Sequence, residues 1–308
     1  MAKRRGRAVN GWVIIDKPAG ISSAAAVARV KRLFDAAKAG HGGTLDPLAT
    51  GVLPIALGEA TKTMSYAMDG TKQYRFTLRW GEERTTDDAE GEVVAESSVR
   101  PETAAIAAIL GEFTGDIAQV PPTYSAIKLG GKRAYALARA AEPVELRSRT
   151  VRIDRIDLVD RPDPERSVFE VACGSGTYMR SLARDIARRL GGVGYVEALR
   201  RLAVGKFTED QAIPLAELEA LGHSAAAFAQ LRPLTTALDD IPALAVDLAQ
   251  AGRLTSGQSV RMPGLAPGVT GGGAYGQGQV VCATAEGRLI ALARIDGDSL
   301  RPIRVLNL

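Results

Sequence analysis

One carboxylate of this chain stands in a segment that is rich in conformationally special residues. Residues 40–54 contain four glycines and two prolines, and Asp46 lies near the middle with leucines close on both sides. Glycine and proline together restrict such a loop to an unusual backbone path. Apolar neighbours remove water from a carboxylate, which makes the group a stronger nucleophile if it stays ionised. From the residues alone a second interpretation stays open, in which Asp46 and Pro47 initiate a turn.

Three glycine-rich segments fail as phosphate-binding loops. The segment Gly174-Ser175-Gly176 has Met179 where a dinucleotide loop needs its last glycine. Gly131-Lys132 lacks the serine or threonine of a P-loop, and no helix is predicted after the glycines at 271–273. The two histidines and two cysteines are too widely separated for a zinc site of the usual spacing. The sequence therefore predicts neither a nucleotide cofactor nor a metal.

Length and composition limit the class of protein. The 308 residues suggest two domains, and 46% hydrophobic with 24% charged residues excludes disorder, collagen and coiled coil as the main state. The net charge of +4 is compatible with a nucleic-acid partner. The longest uncharged stretch, residues 262–285, holds seven glycines and two prolines and is not a membrane helix. Two distant cysteines and the lack of a secretory signal predict a cytoplasmic location.

Apolar periodicity predicts the elements that would position chemically active groups. Residues 72–80 alternate between apolar and polar side chains, which predicts a half-buried strand that carries Tyr74. A helix is predicted at 178–190, and we interpret its Arg184 and Arg188 as a solvated face. Further strands are predicted at 151–159, 168–173 and 195–204, and a solvated acidic loop at 82–92.

The C-terminal part has a different pattern. From about residue 245 the chain consists of short apolar runs broken by glycine, which predicts a small all-β module. Residues 222–243 precede it and have the composition of a linker with one small helical piece. The two parts are therefore expected to form separate domains.

Several segments carry a resemblance to a known family. Residues 42–51 read Gly-Gly-Thr-Leu-Asp-Pro-Leu-Ala-Thr-Gly and resemble the catalytic motif of the TruB family of pseudouridine synthases. Four companion segments occur in the family's order, at residues 11–18, 72–75, 174–180 and 199–202. The similarity covers roughly residues 10–240. A ten-residue motif with four ordered companions is far more specific than a single short pattern.

The resemblance implies a fold and an activity. The fold is α/β (α+β), with a mixed, largely antiparallel sheet and flanking helices in a catalytic domain at 1–240, followed by a small PUA-like, RNA-binding β-barrel at 241–308. The activity is isomerisation of uridine 55 to pseudouridine in the TΨC loop of tRNA, with no cofactor and no metal. The partner is the TΨC stem-loop of tRNA, and neither a membrane, a guide RNA nor an obligate protein partner is implied. We expect a monomer.

The resemblance also implies roles for individual residues. Asp46 matches the nucleophile, for which attack on C1′, attack on C6 and elimination to a glycal all stay open. Arg180 matches the arginine that pairs with it and would hold it ionised. Tyr74 matches the ring that stacks on the target uracil, and Tyr178 and Leu199 match residues that line its pocket. On periodicity alone these last three residues would be core.

Other matches concern recognition of the RNA. His41 matches a histidine placed against the tRNA loop, where a planar imidazole can fill the space left by a flipped nucleotide. Asp88 matches an aspartate of the active-site network, and Lys17 a motif position that we interpret as structural. The basic stretch 122–152 matches an insertion that closes over the tRNA arm, and its charge suits contacts to phosphates. We assign backbone contacts within it to Lys128, Lys132 and Arg133.

Two other functions compete with this prediction. The first is a guide-RNA-dependent enzyme of the same fold, against which the basic insertion of the single chain argues. The second is an RNA-binding protein that assists tRNA folding without being an enzyme. Modification of a bare tRNA transcript by the purified chain would exclude the first, and the activity of an Asp46 variant bears on the second.

Overall fold

The structure is a computed structural model that describes residues 6–125, 146–262 and 275–308, together with two short strands at 128–129 and 132–133. In the catalytic part the strands are β1 Gly11–Lys17, β2 Ala39–His41, β3 Thr50–Leu57, β4 Lys72–Trp80, β5 Glu82–Arg84, β6 Val93–Glu96, β7 Gly115–Gln119, β8 Lys128–Leu129, β9 Lys132–Arg133, β10 Arg149–Asp163, β11 Arg166–Cys173, β12 Gly194–Val204, β13 Phe207–Thr208 and β14 Ile213–Pro214. The C-terminal strands are β15 Ala243–Ala245, β16 Val260–Arg261, β17 Val280–Ala285, β18 Arg288–Asp296 and β19 Ser299–Val305. The helices are α1 Ser23–Leu33, α2 Met64–Met68, α3 Thr103–Ile109, α4 Met179–Arg189, α5 Leu215–Ala220, α6 Ala225–Ala229 and α7 Leu248–Thr255.

Ten strands of the catalytic part form one large mixed sheet, while β5 with β6 and β8 with β9 form two separate two-stranded sheets. The order of the large sheet is β14-β1-β3-β12-β4-β11-β10-β7, and all pairs are antiparallel except β1 with β14 and β3 with β12. The predicted alternation in β4 is confirmed, because Phe76, Leu78 and Trp80 are buried while the residues between them are more exposed. Helices α1 and α4 cover this apolar face and share one core with it. The predicted mixed, largely antiparallel sheet with flanking helices is therefore confirmed.

The centre of the sheet brings distant parts of the sequence together. Strand β12 lies between β3 and β4, and Arg201 pairs with Gly51 on one side and with Tyr74 on the other. A side chain on Gly51 would collide with the backbone of Arg201, and the φ angle of this residue is +99°, so glycine is required here. The loop before β3, which carries Asp46, is thereby held against β12.

The C-terminal part forms a second sheet of five strands in the order β15-β17-β18-β19-β16. This half-barrel is consistent with the predicted PUA-like module, but the prediction of an all-β module was wrong. Helix α7 occupies part of the segment that we interpreted as apolar runs between turns. It begins with a capping box. The Asp247 carboxylate accepts a hydrogen bond from the backbone N–H of Gln250, and the side-chain oxygen of Gln250 accepts one from the backbone N–H of Asp247. One face of α7 packs on the sheet through Ala251 and Leu254.

The two sheets share a buried apolar cluster. Trp12, Phe207 and Leu234 of the catalytic part pack with Cys282, Leu292 and further residues of the second sheet. Residues 222–243 take part in this packing, and Trp12 exchanges two backbone hydrogen bonds with Arg232 at 2.9 and 2.7 Å. The prediction of a linker was therefore wrong for this segment, because its apolar side chains are needed between the sheets. The domain division at 240/241 stays a prediction.

Among the residues that the structure describes, no helix is long and apolar enough to cross a membrane.

Most of the basic insertion predicted at 122–152, including the side chains of Lys128, Lys132 and Arg133, lies outside the described residues. The assignment of these three side chains to the tRNA backbone therefore stays a prediction.

Candidate active site

The loop that carries Asp46 is tied down on both sides of the carboxylate. Lys17 Nζ donates to the carbonyls of Pro18 and Ile21 at 2.8 Å and to that of Pro47 at 3.3 Å. On the other side, Ser23 Oγ donates to the carbonyl of Leu45 at 2.9 Å and accepts from its N–H at 2.8 Å. The two residues that flank Asp46 in sequence are thus fixed by groups from β1 and α1.

Lys17 is fully buried, as the interpretation of a structural role requires. Burial lowers the pKa of Lys17 to about 8, and the negative charge of Asp46 is the largest influence that opposes this shift. Three carbonyl acceptors match the three donors of a protonated ammonium group. Protonation of this lysine is therefore coupled to the backbone of the loop.

Arg201 of β12 ties down the beginning of the same loop. Its guanidinium donates to the carbonyl of Val52 at 2.8 Å, to that of Gly43 at 3.1 Å and to that of Thr44 at 3.5 Å. The residue is only 1% exposed. Burial raises the pKa of Tyr74, and the nearby Arg201 guanidinium partly offsets this effect.

Asp46 forms an ion pair with a buried arginine. Arg180 Nη2 lies 2.9 Å from Asp46 Oδ2, and Arg180 Nη1 lies 3.4 Å from Asp88 Oδ2. The same guanidinium donates to the carbonyls of Thr86 and Tyr124. Arg180 and Asp88 are almost inaccessible, whereas the side chain of Asp46 is 37% exposed. The pair therefore presents a charge-balanced but accessible carboxylate, which is what a nucleophile requires.

Four predicted site residues surround Asp46 in one cavity. This cavity, which we call the tyrosine cavity, has a volume of about 340 Å³. The predicted residues that line it are Asp46, Tyr74, Tyr178, Arg180 and Leu199. Tyr178 is held from both sides of its backbone by Gln119, and Arg149 lies over its ring at 5.1 Å from the centroid. An accessible carboxylate beside aromatic and apolar walls is suited to a flat, uncharged ring.

His41 lies elsewhere. A second cavity of about 490 Å³, which we call the histidine cavity, is also lined by Asp46 and Arg180. Besides that pair, its lining includes His41, Asp88, Glu90 and Ser125. Burial lowers the pKa of His41, and its buried Nδ1 has no hydrogen-bond partner among the described residues. A neutral imidazole at this place suits stacking, and the structure does not make His41 an exposed bystander.

Two interpretations of charged side chains were wrong. Arg184 is not solvated, because its side chain is 11% exposed and its Nη1 lies 3.0 Å from Asp87 Oδ2. Within the acidic segment 82–92, Asp87 and Asp88 are buried by the two arginines that α4 presents. Burial raises the pKa of Asp87 even though Arg184 opposes this effect. Arg188, by contrast, is exposed as expected.

Sequence reasoning missed three contributors to the site. Arg201 and Lys72 occur in the matched segments without a predicted role, and Glu90 belongs to the segment that we interpreted as a solvated loop. Lys72 is buried in the wall of the tyrosine cavity and donates to the carbonyls of Met68 and Gly70 and to Ser175 Oγ. The alternation in β4 places Lys72 on the same face as Tyr74, and this signal was available.

The described residues offer little for a metal. No group of three or more His, Cys, Asp or Glu side chains in the described ranges could hold such an ion. The charged groups of the site are instead paired with each other or with backbone carbonyls. The arrangement supports chemistry by a carboxylate and its arginine.

Comparison with known proteins identifies the family of the chain. Residues 31–179 match the N-terminal domain of TruB family pseudouridylate synthases, and residues 180–240 match the tRNA pseudouridylate synthase B C-terminal domain. The chain belongs to the TruB family. The protein named tRNA pseudouridine synthase B from Rhodospirillum rubrum is 53% identical over 306 residues, which cover 99% of both chains. That from Bradyrhizobium diazoefficiens is 55% identical over 99% of this chain and 88% of the relative.

Solved structures support the TruB family fold. The crystal structure of a Cbf5–Nop10–Gar1 complex contains a chain with 26% identity and a TM-score of 0.70, and the match covers 96% of this chain and 84% of that one. A structure of an H/ACA RNP bound to a substrate RNA containing 2′-deoxyuridine matches with a TM-score of 0.71. At 23% identity, over 97% of this chain and 85% of that one, the second match shows the fold alone.

Proposed function

We propose that this chain converts uridine 55 of tRNA to pseudouridine, with Asp46 as the nucleophile. The observation that carries the proposal is the accessible Asp46 carboxylate, 2.9 Å from the buried Arg180, in a cavity lined by Tyr74, Tyr178 and Leu199. The names of the relatives, which are about half identical over the full chain, support the substrate.

The reaction rearranges bonds within one nucleotide. The N1–C1′ bond breaks, the uracil turns, and a C5–C1′ bond forms while C5 loses a proton and N1 gains one. The uridine must leave the stacked loop, because neither C1′ nor C5 can be reached inside it. Tyr74 would stack on the flipped base, Tyr178 and Leu199 would enclose it, and Arg180 would keep Asp46 ionised.

His41 has a separate task in this proposal. Its cavity adjoins the Asp46–Arg180 pair, whereas the uracil would enter the tyrosine cavity. The neutral imidazole would stack where the flipped nucleotide has left the RNA loop. Routes through C1′, through C6 and through a glycal all remain open to Asp46, and all of them need the same placement of the base.

We further propose that the chain acts in the cytoplasm without a metal, a guide RNA or an obligate protein partner. Its identity to two relatives named tRNA pseudouridine synthase B is 53–55%, against 26% for the chain in the Cbf5–Nop10–Gar1 complex, which supports this choice. Lys128, Lys132 and Arg133 of the basic insertion would contact phosphates of the tRNA arm.

The test uses the purified chain and an unmodified tRNA transcript labelled with tritium at C5 of its uridines. We expect tritium release without any added RNA, and none from a transcript in which uridine 55 is replaced by cytidine. Release that requires an added RNA would instead favour a guide-dependent enzyme. Tight binding of the transcript without release would favour a protein that only binds RNA.

A further inference from the structure

The charges around the tyrosine cavity are unbalanced. Three cations line it, namely Lys72, Arg180 and Arg201, but only one carboxylate, Asp46. Arg180 is neutralised by Asp46 and Asp88 together. The excess positive charge therefore comes from Lys72 and Arg201. Uridine is uncharged before the reaction, so the bound base does not explain this excess.

Arg201 is the more deeply buried of the two cations. In the part of the chain that the structure describes, no carboxylate forms an ion pair with it, and its guanidinium donates to three carbonyls of the Asp46 loop and β3. Burying a charge without an opposite charge beside it costs several kcal/mol. Neutral N–H donors can also satisfy buried carbonyls, so a structural clamp alone would not require the charge of an arginine at this position.

The charge of Arg201 acts on titratable groups of the cavity wall. Burial lowers the pKa of Lys72 and raises that of Tyr74, and the charge of Arg201 adds to the first shift and opposes the second. Both residues line the tyrosine cavity, so the field of the guanidinium acts on the space that the base would occupy. Tyr74 is the direct neighbour of Arg201 in the sheet, and a side-chain hydrogen bond links the two.

The proposed reaction creates the charge that this field would favour. When the N1–C1′ bond breaks, its electron pair goes to N1 and the uracil becomes an anion. Addition of Asp46 to C6 would likewise place negative charge on the ring. After the ring has turned, the electron pair of the anion forms the C5–C1′ bond, and any bond from Asp46 to C1′ or C6 breaks and returns the carboxylate. The C5 proton is then lost and N1 is protonated. The base is therefore negatively charged only during the reaction.

We propose that Arg201 is a positioning residue whose unpaired charge stabilises the uracil anion through Tyr74 and the cavity field, in addition to holding the Asp46 loop. This inference rests on the proposed function. A fixed charge in a site that excludes water acts strongly on charge that develops in the transition state. A phosphate of the RNA is the competing anion, but Arg201 lies in the inner wall and is only 1% exposed.

The experiment compares uridine with 5-fluorouridine at position 55 of the tRNA under single-turnover conditions. Fluorine withdraws electrons and stabilises the uracil anion by itself, so the protein charge matters less. Breakage of the N1–C1′ bond is measured as loss of the starting nucleoside after nuclease digestion. For Arg201→Gln we expect a rate reduced roughly 10²-fold on uridine and about tenfold on 5-fluorouridine.

Three further variants complete the test. Arg201→Met is a second neutral replacement, whose side chain cannot donate hydrogen bonds. Its rate should also be reduced less on 5-fluorouridine than on uridine. Arg201→Lys keeps the charge and should respond to the two substrates in the same ratio as the parent. Arg200→Gln is the matched control, because Arg200 pairs with Asp16 and Glu209 outside the cavity.

The outcomes separate the two proposals. Equal defects on both substrates in the Gln and Met variants would overturn the electrostatic role and leave only a clamp. A defect confined to tRNA affinity would indicate a phosphate contact instead. If the parent protein is active and either of these results is found, only the role of Arg201 is contradicted. If the parent protein consumes neither uridine nor 5-fluorouridine at position 55, the proposed function itself is contradicted.

Discussion

The tyrosine cavity and the histidine cavity share Asp46 and Arg180 but have opposite charge. Around the first, three cations face one carboxylate, and around the second, three carboxylates face one arginine. Burial and the charges of Asp88 and Asp46 raise the pKa of Glu90 in the second cavity. One ion pair therefore borders two compartments of opposite charge. In the proposed reaction, the developing anion would lie in the positively charged compartment.

The largest effect is expected from the residue that both cavities share. Asn at position 46 keeps the size of Asp46 but cannot act as a nucleophile, so turnover of Asp46→Asn should fall below roughly 1% of the parent. Binding of tRNA, measured on filters, should be largely kept. Asp16→Asn is the matched control, since Asp16 pairs with Arg200 and lines neither cavity. Substantial tritium release by Asp46→Asn would refute the nucleophile assignment.

A smaller effect is expected from the histidine cavity, because His41 would act on flipping and not on the chemical step. Stacking platforms contribute about 1–3 kcal/mol, so His41→Ala should slow single turnover on folded tRNA by roughly tenfold to a hundredfold. His41→Phe should recover part of this loss, because it keeps a flat ring. Equal defects in both variants, with a new pH dependence between pH 5.5 and 8, would move His41 into acid–base chemistry.

The smallest effect is expected from the lysine beneath the loop. With a pKa of about 8, Lys17 loses one donor to its three carbonyls as the pH rises through that value. Single-turnover rates should therefore fall about threefold to tenfold between pH 7 and 9, the effect of one hydrogen bond of about 0.5–1.5 kcal/mol. Lys17→Met should already be slower at pH 7 and should lack this decline.

The stability of the protein should respond to pH in the opposite direction. The pKa of Lys17 in the folded state lies below its unfolded value of 10.5. Between these two values the unfolded state binds more protons, so the contribution of Lys17 to the free energy of unfolding rises with pH. A single-turnover rate that falls while the contribution of Lys17 to the free energy of unfolding rises indicates loosening of the loop and not denaturation. If the rate of the Lys17→Met variant falls with pH as much as that of the parent, a group other than Lys17 titrates.

The sequence was sufficient for the residues that stand in ordered motifs. Asp46, Tyr74, Tyr178, Arg180 and Leu199 were predicted together, and the structure places all of them around one cavity. Their predicted roles in catalysis remain to be tested. The motifs specified these positions because a glycine-rich loop, a strand and a helix start each leave few alternatives for where a side chain points.

Charged residues on sheet faces were harder to predict. Arg200 and Arg201 are adjacent in β12, yet one pairs with Asp16 near the surface and the other is buried behind the Asp46 loop. A strand alternates its faces, but the sequence does not say which face is covered until the neighbouring strands are known. The burial of Asp87 was equally hard to predict, because its partner Arg184 lies on α4, 97 residues later in the chain, and only the fold brings the two together.

The apolar cluster between the two sheets has a consequence for how the chain loses its structure. Trp12 and Leu292 are fully buried in this cluster, although they lie 280 residues apart in sequence. Removing everything after residue 240 would expose Trp12 and its neighbours to water and favour aggregation of the remaining part. The second sheet thus acts as a cover for the first, and heat or denaturant should unfold the two in one cooperative transition.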